Sequence, residues 1–162
     1  MRSNNFLQKI KKEGKLELIE PNKDISNSYL SKSDDCFKSA KLLFNNKLYE
    51  NSVAMSYYSM YNALIALLFK IGIKCENHSA SILLLKLLFK KEELFKMISR
   101  AKKERIDKQY YVTTEDNSVT DQDAKNLLDS AEKFVLKIKL LIKKLNNKEI
   151  ENIYTDFNNI IN

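Results

Sequence analysis

The residues best equipped for chemistry lie close together. Between residues 96 and 108 the chain carries Lys96, Arg100, Lys102, Lys103, Arg105 and Lys108, its most basic stretch, and Tyr110 and Tyr111 follow at once. A guanidinium fork matches the geometry of a phosphate, and an ammonium attracts one as a point charge. A tyrosine ring offers a face on which an unpaired base can stack. Cations with adjoining aromatics are the chemistry of single-stranded RNA or nucleotide binding. The residues expected to carry it are Arg100, Lys103, Arg105, Asp107, Lys108, Tyr110 and Tyr111, with Tyr58 at the rim of the cleft. Each has a blander reading. Arg105 and Asp107 are two apart on a helix and do not face each other, so each can pair with a neighbouring helix or with solvent. Tyr57 and Tyr58 can be core aromatics whose hydroxyls reach a polar partner. Tyr110 and Tyr111 can plug the end of a bundle. His78, the one histidine, reads as a helix-start residue bonded to backbone, with a general base as the alternative.

Other chemistries find little support. Gly14 and Gly72 stand alone, so there is no Gly-rich phosphate loop. No cluster of ligands with zinc spacing surrounds His78, and no metal or other cofactor is expected. No motif supplies an activated nucleophile for a histidine-based triad. Cys36 and Cys75 form no CxxC pair and no disulfide framework, which fits a reduced, cytoplasmic setting. The N-terminus lacks an apolar core followed by a small-residue cleavage site. The formal charge of +7 favours a polyanionic partner. Against that, 25 of the 28 basic residues are Lys, which spread over helices is an ordinary solvated face.

The element that must position these groups runs from Tyr49 to Ile71. From Asn51 to Phe69 it has no charge, no Gly and no Pro, in a chain that is 30% charged. Three Tyr, three Ser and Asn62 make it too polar for a comfortable membrane span, and no membrane association is expected. At helical spacing Ser52, Ser56, Ser59, Ala63 and Ala66 form a stripe of small side chains that lets another helix approach closely. Val53, Tyr57, Met60, Leu64, Leu67 and Ile71 form a second stripe. Ala54, Tyr58, Tyr61, Ile65 and Leu68 form a third. Three packing faces require neighbours on several sides, so this is the central helix of a bundle.

Its partners follow in chain order. A short helix spans 4–13, with Gly14 suited to the position after its end. Residues 15–21 are a connector ending at Pro21, which can open the next helix at its first position. That helix reaches Asn46 and should lie antiparallel to the central one, since the connection is short. Residues 72–77 are a loop, and Asn77 or Ser79 caps a leucine-rich helix. The basic helix spans 92–108, and residues 112–119 read as a loop. Thr120 and Asp123 resemble a capping box that opens the last long helix, which runs to Leu145. An amphipathic tail, 147–162, either extends the bundle or supplies a dimer contact. The fold class is all-α: one domain over 1–162, an up-and-down four-helix-type bundle with short extra helices at the N- and C-termini. Its core spans about 22–146, with the helix and connector of 1–21 before it and the helix of 147–162 after.

One set of residues resembles a known family. Leu48-Tyr49-Glu50-Asn51-Ser52-Val53-Ala54, then Ser56-Tyr57-Tyr58-Ser59-Met60-Tyr61-Asn62-Ala63, then His78-Ser79 opening the next helix, is similar to the uncharacterised prokaryotic branch of the HEPN family. Glu104-Arg105-Ile106-Asp107 stands where that branch carries a basic Arg-x-x-Arg-x-Asp-Tyr-like stretch. The resemblance covers about residues 8–145. It implies a helical bundle that forms a homodimer and is paired with a nucleotidyltransferase in a toxin–antitoxin or defence system. Active members are metal-independent endoribonucleases marked by Arg, four to six residues, then His, with the motifs of two protomers forming one cleft. This chain departs from that mark: Arg105 and four intervening residues lead to Tyr110, not His. Arg105 could steady a phosphorane, but Tyr110, a phenol, is a weak base at neutral pH. Three function classes therefore stand at this point: an RNA- or nucleotide-binding module, a ribonuclease with a degenerate Arg105–Tyr110 site, and a structural dimer.

Overall fold

A computed structural model describes residues 2–110 and 118–161. The elements in chain order are α1 (Arg2–Lys12), β1 (Leu16–Leu18), α2 (Lys23–Asn45), α3 (Tyr49–Lys70), β2 (Ile73–Cys75), α4 (His78–Leu87), α5 (Glu92–Tyr110), α6 (Asp121–Lys144) and α7 (Asn147–Ile161). The protein is all-α, and α2, α3, α5 and α6 form the up-and-down bundle expected from the sequence.

The uncharged helix α3 is its centre, packing against α2, α4, α5, α6 and β2. It is long and apolar enough to cross a membrane, yet 78% of its most apolar window is buried in the protein, as befits a bundle core. The small stripe does what its side chains allow. Ser26 Oγ donates to the carbonyl of Ala66 at 2.8 Å, and Ser33 Oγ to that of Ser59 at 2.7 Å. Ser52 Oγ donates to the carbonyl of Ala40 at 2.9 Å. Partners on α2 rise by seven as partners on α3 fall by seven, which is an antiparallel pair in a heptad register. Each hydroxyl reaches a carbonyl of the opposite helix only because nothing larger than Ser or Ala keeps the backbones apart. The ion pairs Lys139–Asp34 at 2.7 Å and Lys41–Glu132 at 3.8 Å give α2 and α6 the same antiparallel sense.

The helix starts follow from local chemistry. Asn22 caps α2 by accepting from the Ile25 N–H, and Asn77 caps α4 by accepting from the Ala80 N–H. Pro21 thus stands just before the cap and not in the first turn. Thr120 and Asp123 form the reciprocal capping box expected of them, Asp doing the work of the usual Glu.

The connectors 15–21 and 72–77 hold a short antiparallel ribbon that the sequence did not announce. Leu16 pairs with Cys75, Glu17 with Lys74 and Leu18 with Ile73. Strands of three residues are too short to show an alternating pattern. The tail α7 packs on α1 within the same chain, burying Ile153, Phe157 and Ile161 in the core that also holds Leu7 and Ile10. Gly72, with a φ of +73°, closes the turn beneath it.

Candidate functional site

One strip of α3 is left without a helix over it. Met55, Tyr58, Tyr61 and Phe69 are half-buried, whereas the rest of the helix beyond its first turn lies mostly in the core. This strip floors an open cleft of about 560 Å³, walled by Tyr29, Lys32 and Cys36 of α2 and by residues from Lys74 to His78 on the other side. Tyr29 and Phe69, both in its lining, stack on each other with ring centres 5.5 Å apart.

His78 sits at the first position of α4, placed by the Asn77 cap. Its ring lies flat against Tyr61, with centres 3.8 Å apart. Its Nδ1 is 2.7 Å from the hydroxyl of Tyr57, which is fully buried. Burial pushes the Tyr57 phenol well above its ordinary pKa, so it keeps its proton. A buried hydroxyl must place that proton on an acceptor, and His78 Nδ1 is its one partner among the described residues. The phenol therefore donates, and neutral His78 carries its own hydrogen on Nε2. Burial first, then the charges of Arg105 and Lys102, hold the His78 pKa below the usual value of 6.5. Tyr61 is likewise raised by burial, to about 12.

Arg105 approaches from α5. Its guanidinium lies 5.1 Å from the centre of the Tyr57 ring and 5.5 Å from that of Tyr58. Its Nη1 donates to the Tyr58 hydroxyl at 3.1 Å. Guanidinium over two tyrosine faces is a favourable cation–π arrangement. One turn earlier Lys102 donates to Ser79 Oγ at 2.5 Å. Burial, then Arg105, lowers the Lys102 pKa. Lys102 and Arg105, three residues apart on α5, thus bring two cations to the neighbourhood of His78.

The sequence-based site residues divide. Tyr58 and Arg105 meet. Arg100 does not join them: it lies five residues away, about 140° round the helix. It is 77% exposed, its Nε donates to Glu104 at 2.7 Å, and it borders a separate groove with Asn126, Leu127 and Ser130 of α6. The expectation that both guanidiniums open on one groove is corrected by that helical phase. Lys103 and Asp107 are exposed on α5, away from the Tyr57–His78 contact. Tyr111 and the side chains of Lys108 and Tyr110 lie outside the described residues. A groove of about 400 Å³ at the start of α5 and end of α6 gathers Lys90, Lys91, Lys137 and Lys144, but no aromatic side chain lines it.

His78 does start α4, as its blander reading had it, but its ring bonds a phenol and not backbone. Lys102, Tyr61 and Asn62 were missed as site residues. Lys102 had a signal, since it precedes Arg105 by three residues and so shares its face. Asn62 had a fainter one, as the lone amide in the interior of the uncharged helix. Among the described residues no three His, Cys, Asp or Glu side chains gather as a metal set.

Two comparisons identify the family. Residues 26–141 match the HEPN domain family, which takes in α2 through most of α6 and so the whole of the cleft. A protein of Methanocaldococcus jannaschii named "Putative toxin MJ0605" is 30% identical over 132 residues, a match spanning 76% of this chain and 96% of that protein. The central helix, its serine seam and the matched span leave one conclusion, that this chain belongs to the HEPN domain family.

Proposed function

We propose that this chain is a toxin-type HEPN module that binds RNA or a nucleotide at the cleft of Tyr58 and His78, with Arg105 beside it, without cutting it. The observation that carries this reading is Arg105 itself, held over two tyrosine rings and bonded to the Tyr58 hydroxyl beside Lys102. A phosphate drawn to these cations has aromatic faces within reach for the attached base. The name of the Methanocaldococcus jannaschii relative supports the toxin role. Homodimerisation and a nucleotidyltransferase partner belong to the same proposal and rest on the family.

Binding is favoured over cleavage by the state of His78. Metal-free cleavage of RNA needs a group that takes the 2′-hydroxyl proton. With Nδ1 accepting from Tyr57 and hydrogen on Nε2, the imidazole has no lone pair to offer. It is a hydrogen-bond donor in this state. The test is to incubate protein and single-stranded RNA in EDTA and read binding and strand integrity together. The expected result is a retarded complex with intact RNA. New RNA ends that vanish in Arg105→Ala would establish the nuclease instead, and absence of any complex at low salt would remove the RNA reading.

A further inference from the structure

Asn62 gives the cleft a second polar feature. It is 6% exposed, on the α3 face that lines the cleft. Its Nδ2 donates to the carbonyl of Tyr58 at 2.8 Å and to Cys36 Sγ at 3.6 Å. A backbone carbonyl can only accept, so the amide nitrogen must be on that side and Oδ1 on the other. Oδ1 has no hydrogen-bond partner among the described residues. That oxygen is not among the buried unpartnered atoms, so it is reached from the open cleft and stands as an available acceptor. The cleft also contains the Nε2–H of His78, on the side of the ring away from Tyr57. An acceptor and a donor thus line one cleft that has Tyr58, Tyr61 and Phe69 in its floor and Tyr29 in its wall.

We propose that this cleft is a slot for a single unpaired nucleobase, its edge on Asn62 Oδ1 and His78 Nε2–H and its face on the tyrosine walls. This deepens the binding reading above and rests on it. Flat aromatic walls with one donor and one acceptor suit a planar heterocycle. Every base presents an acceptor beside a donor on its pairing edge, so the slot senses the presence of a base more than its identity. Tyr58 joins the two parts. Its ring lines the slot, and its hydroxyl takes the hydrogen bond from Arg105, so a phosphate at Arg105 stands one side chain away from the base. Lys32, whose ammonium lies 6.0 Å from the centre of the Tyr29 ring, adds positive charge at the α2 wall.

The base can come from an RNA strand or from a free nucleotide, and one titration series separates the two. Binding of a short fluorescent single-stranded RNA is compared with binding of its abasic counterpart, with adenosine monophosphate as competitor. The wild-type protein should prefer the base-bearing strand by about tenfold, the scale of one stacked base. Asn62→Leu, close in size and lacking the acceptor, should shrink that preference to under about threefold while binding of the abasic strand holds. Tyr29→Leu, on the opposite wall, should do the same and covers the case in which the Asn62 variant folds poorly. Competition by the mononucleotide assigns the slot to free nucleotides, and retained preference without competition assigns it to RNA. Equal wild-type binding of both strands overturns the slot and leaves the Arg105 reading standing. Failure to bind either strand or the nucleotide overturns both.

Discussion

The hydroxyl of Tyr57 and Nδ1 of His78 are 2.7 Å apart, and that contact joins the core of the bundle to its open cleft. One partner is fully buried on the central helix, and the other begins the helix that follows. The contact fixes the tautomer of the histidine, and burial, with the charges of Arg105 and Lys102 added, holds its pKa below the usual value. Function here is read from a donor pattern set by burial, not from a sequence signature.

This state of His78 has a pH consequence. Above about pH 6.5 both folded and unfolded chains hold a neutral imidazole. Below it the unfolded chain takes up a proton that the folded chain resists, so folding stability falls until the folded group is itself protonated. His78→Gln should therefore show a shallower loss of urea stability between about pH 6.5 and pH 5 than the wild type. In NMR titration the wild-type imidazole should titrate below 6.5 and move upward in Arg105→Ala, because a repelling cation is gone. An unshifted value in both proteins would contradict the cluster.

The serine seam predicts an asymmetry. Ser33→Ala removes one hydrogen bond to the Ser59 carbonyl and should cost about 1 kcal/mol in urea unfolding. Ser33→Leu must push α2 and α3 apart at a fully buried position of the seam, and should cost about 3 kcal/mol. Equal costs would mean the close approach is incidental.

The two glycines predict another. Gly14 and Gly72 both have positive φ, but a Cβ on Gly14 meets open space. A Cβ on Gly72 would collide with the carbonyl oxygen of Ile19 and lie 2.6 Å from the Tyr154 hydroxyl. Gly14→Ala should cost about 1 kcal/mol, the ordinary penalty of a left-handed residue. Gly72→Ala adds a backbone clash and should cost about 3 kcal/mol or more, read as a lower melting temperature.

Much of this architecture was legible in the sequence because it is written in periodicity. An uncharged stretch with a small-residue stripe identifies a central helix, and Thr120 with Asp123 marks a helix start. The ribbon was not legible, since Leu16–Leu18 and Ile73–Cys75 carry too few residues to show a pattern. The site was legible by half. A basic run shows where cations are, but helical phase decides which of them meet, and it separates Arg100 from Arg105 while bringing in Lys102. The partnership of His78 with Tyr57 joins residues 21 apart through the turn of the chain at Gly72, and no local spacing encodes it.

The central claim is that Arg105 at the tyrosine cleft holds the phosphate of a bound RNA. It is tested most directly by titrating single-stranded RNA at several salt concentrations with wild type, Arg105→Ala and Arg100→Ala. Loss of one phosphate contact should lower the slope of log affinity against log salt by about 0.7 and weaken binding by about tenfold. We expect that change in Arg105→Ala and little change in Arg100→Ala, which faces the other groove. Unaltered affinity and slope in Arg105→Ala, or an equal loss in both variants, would contradict the account.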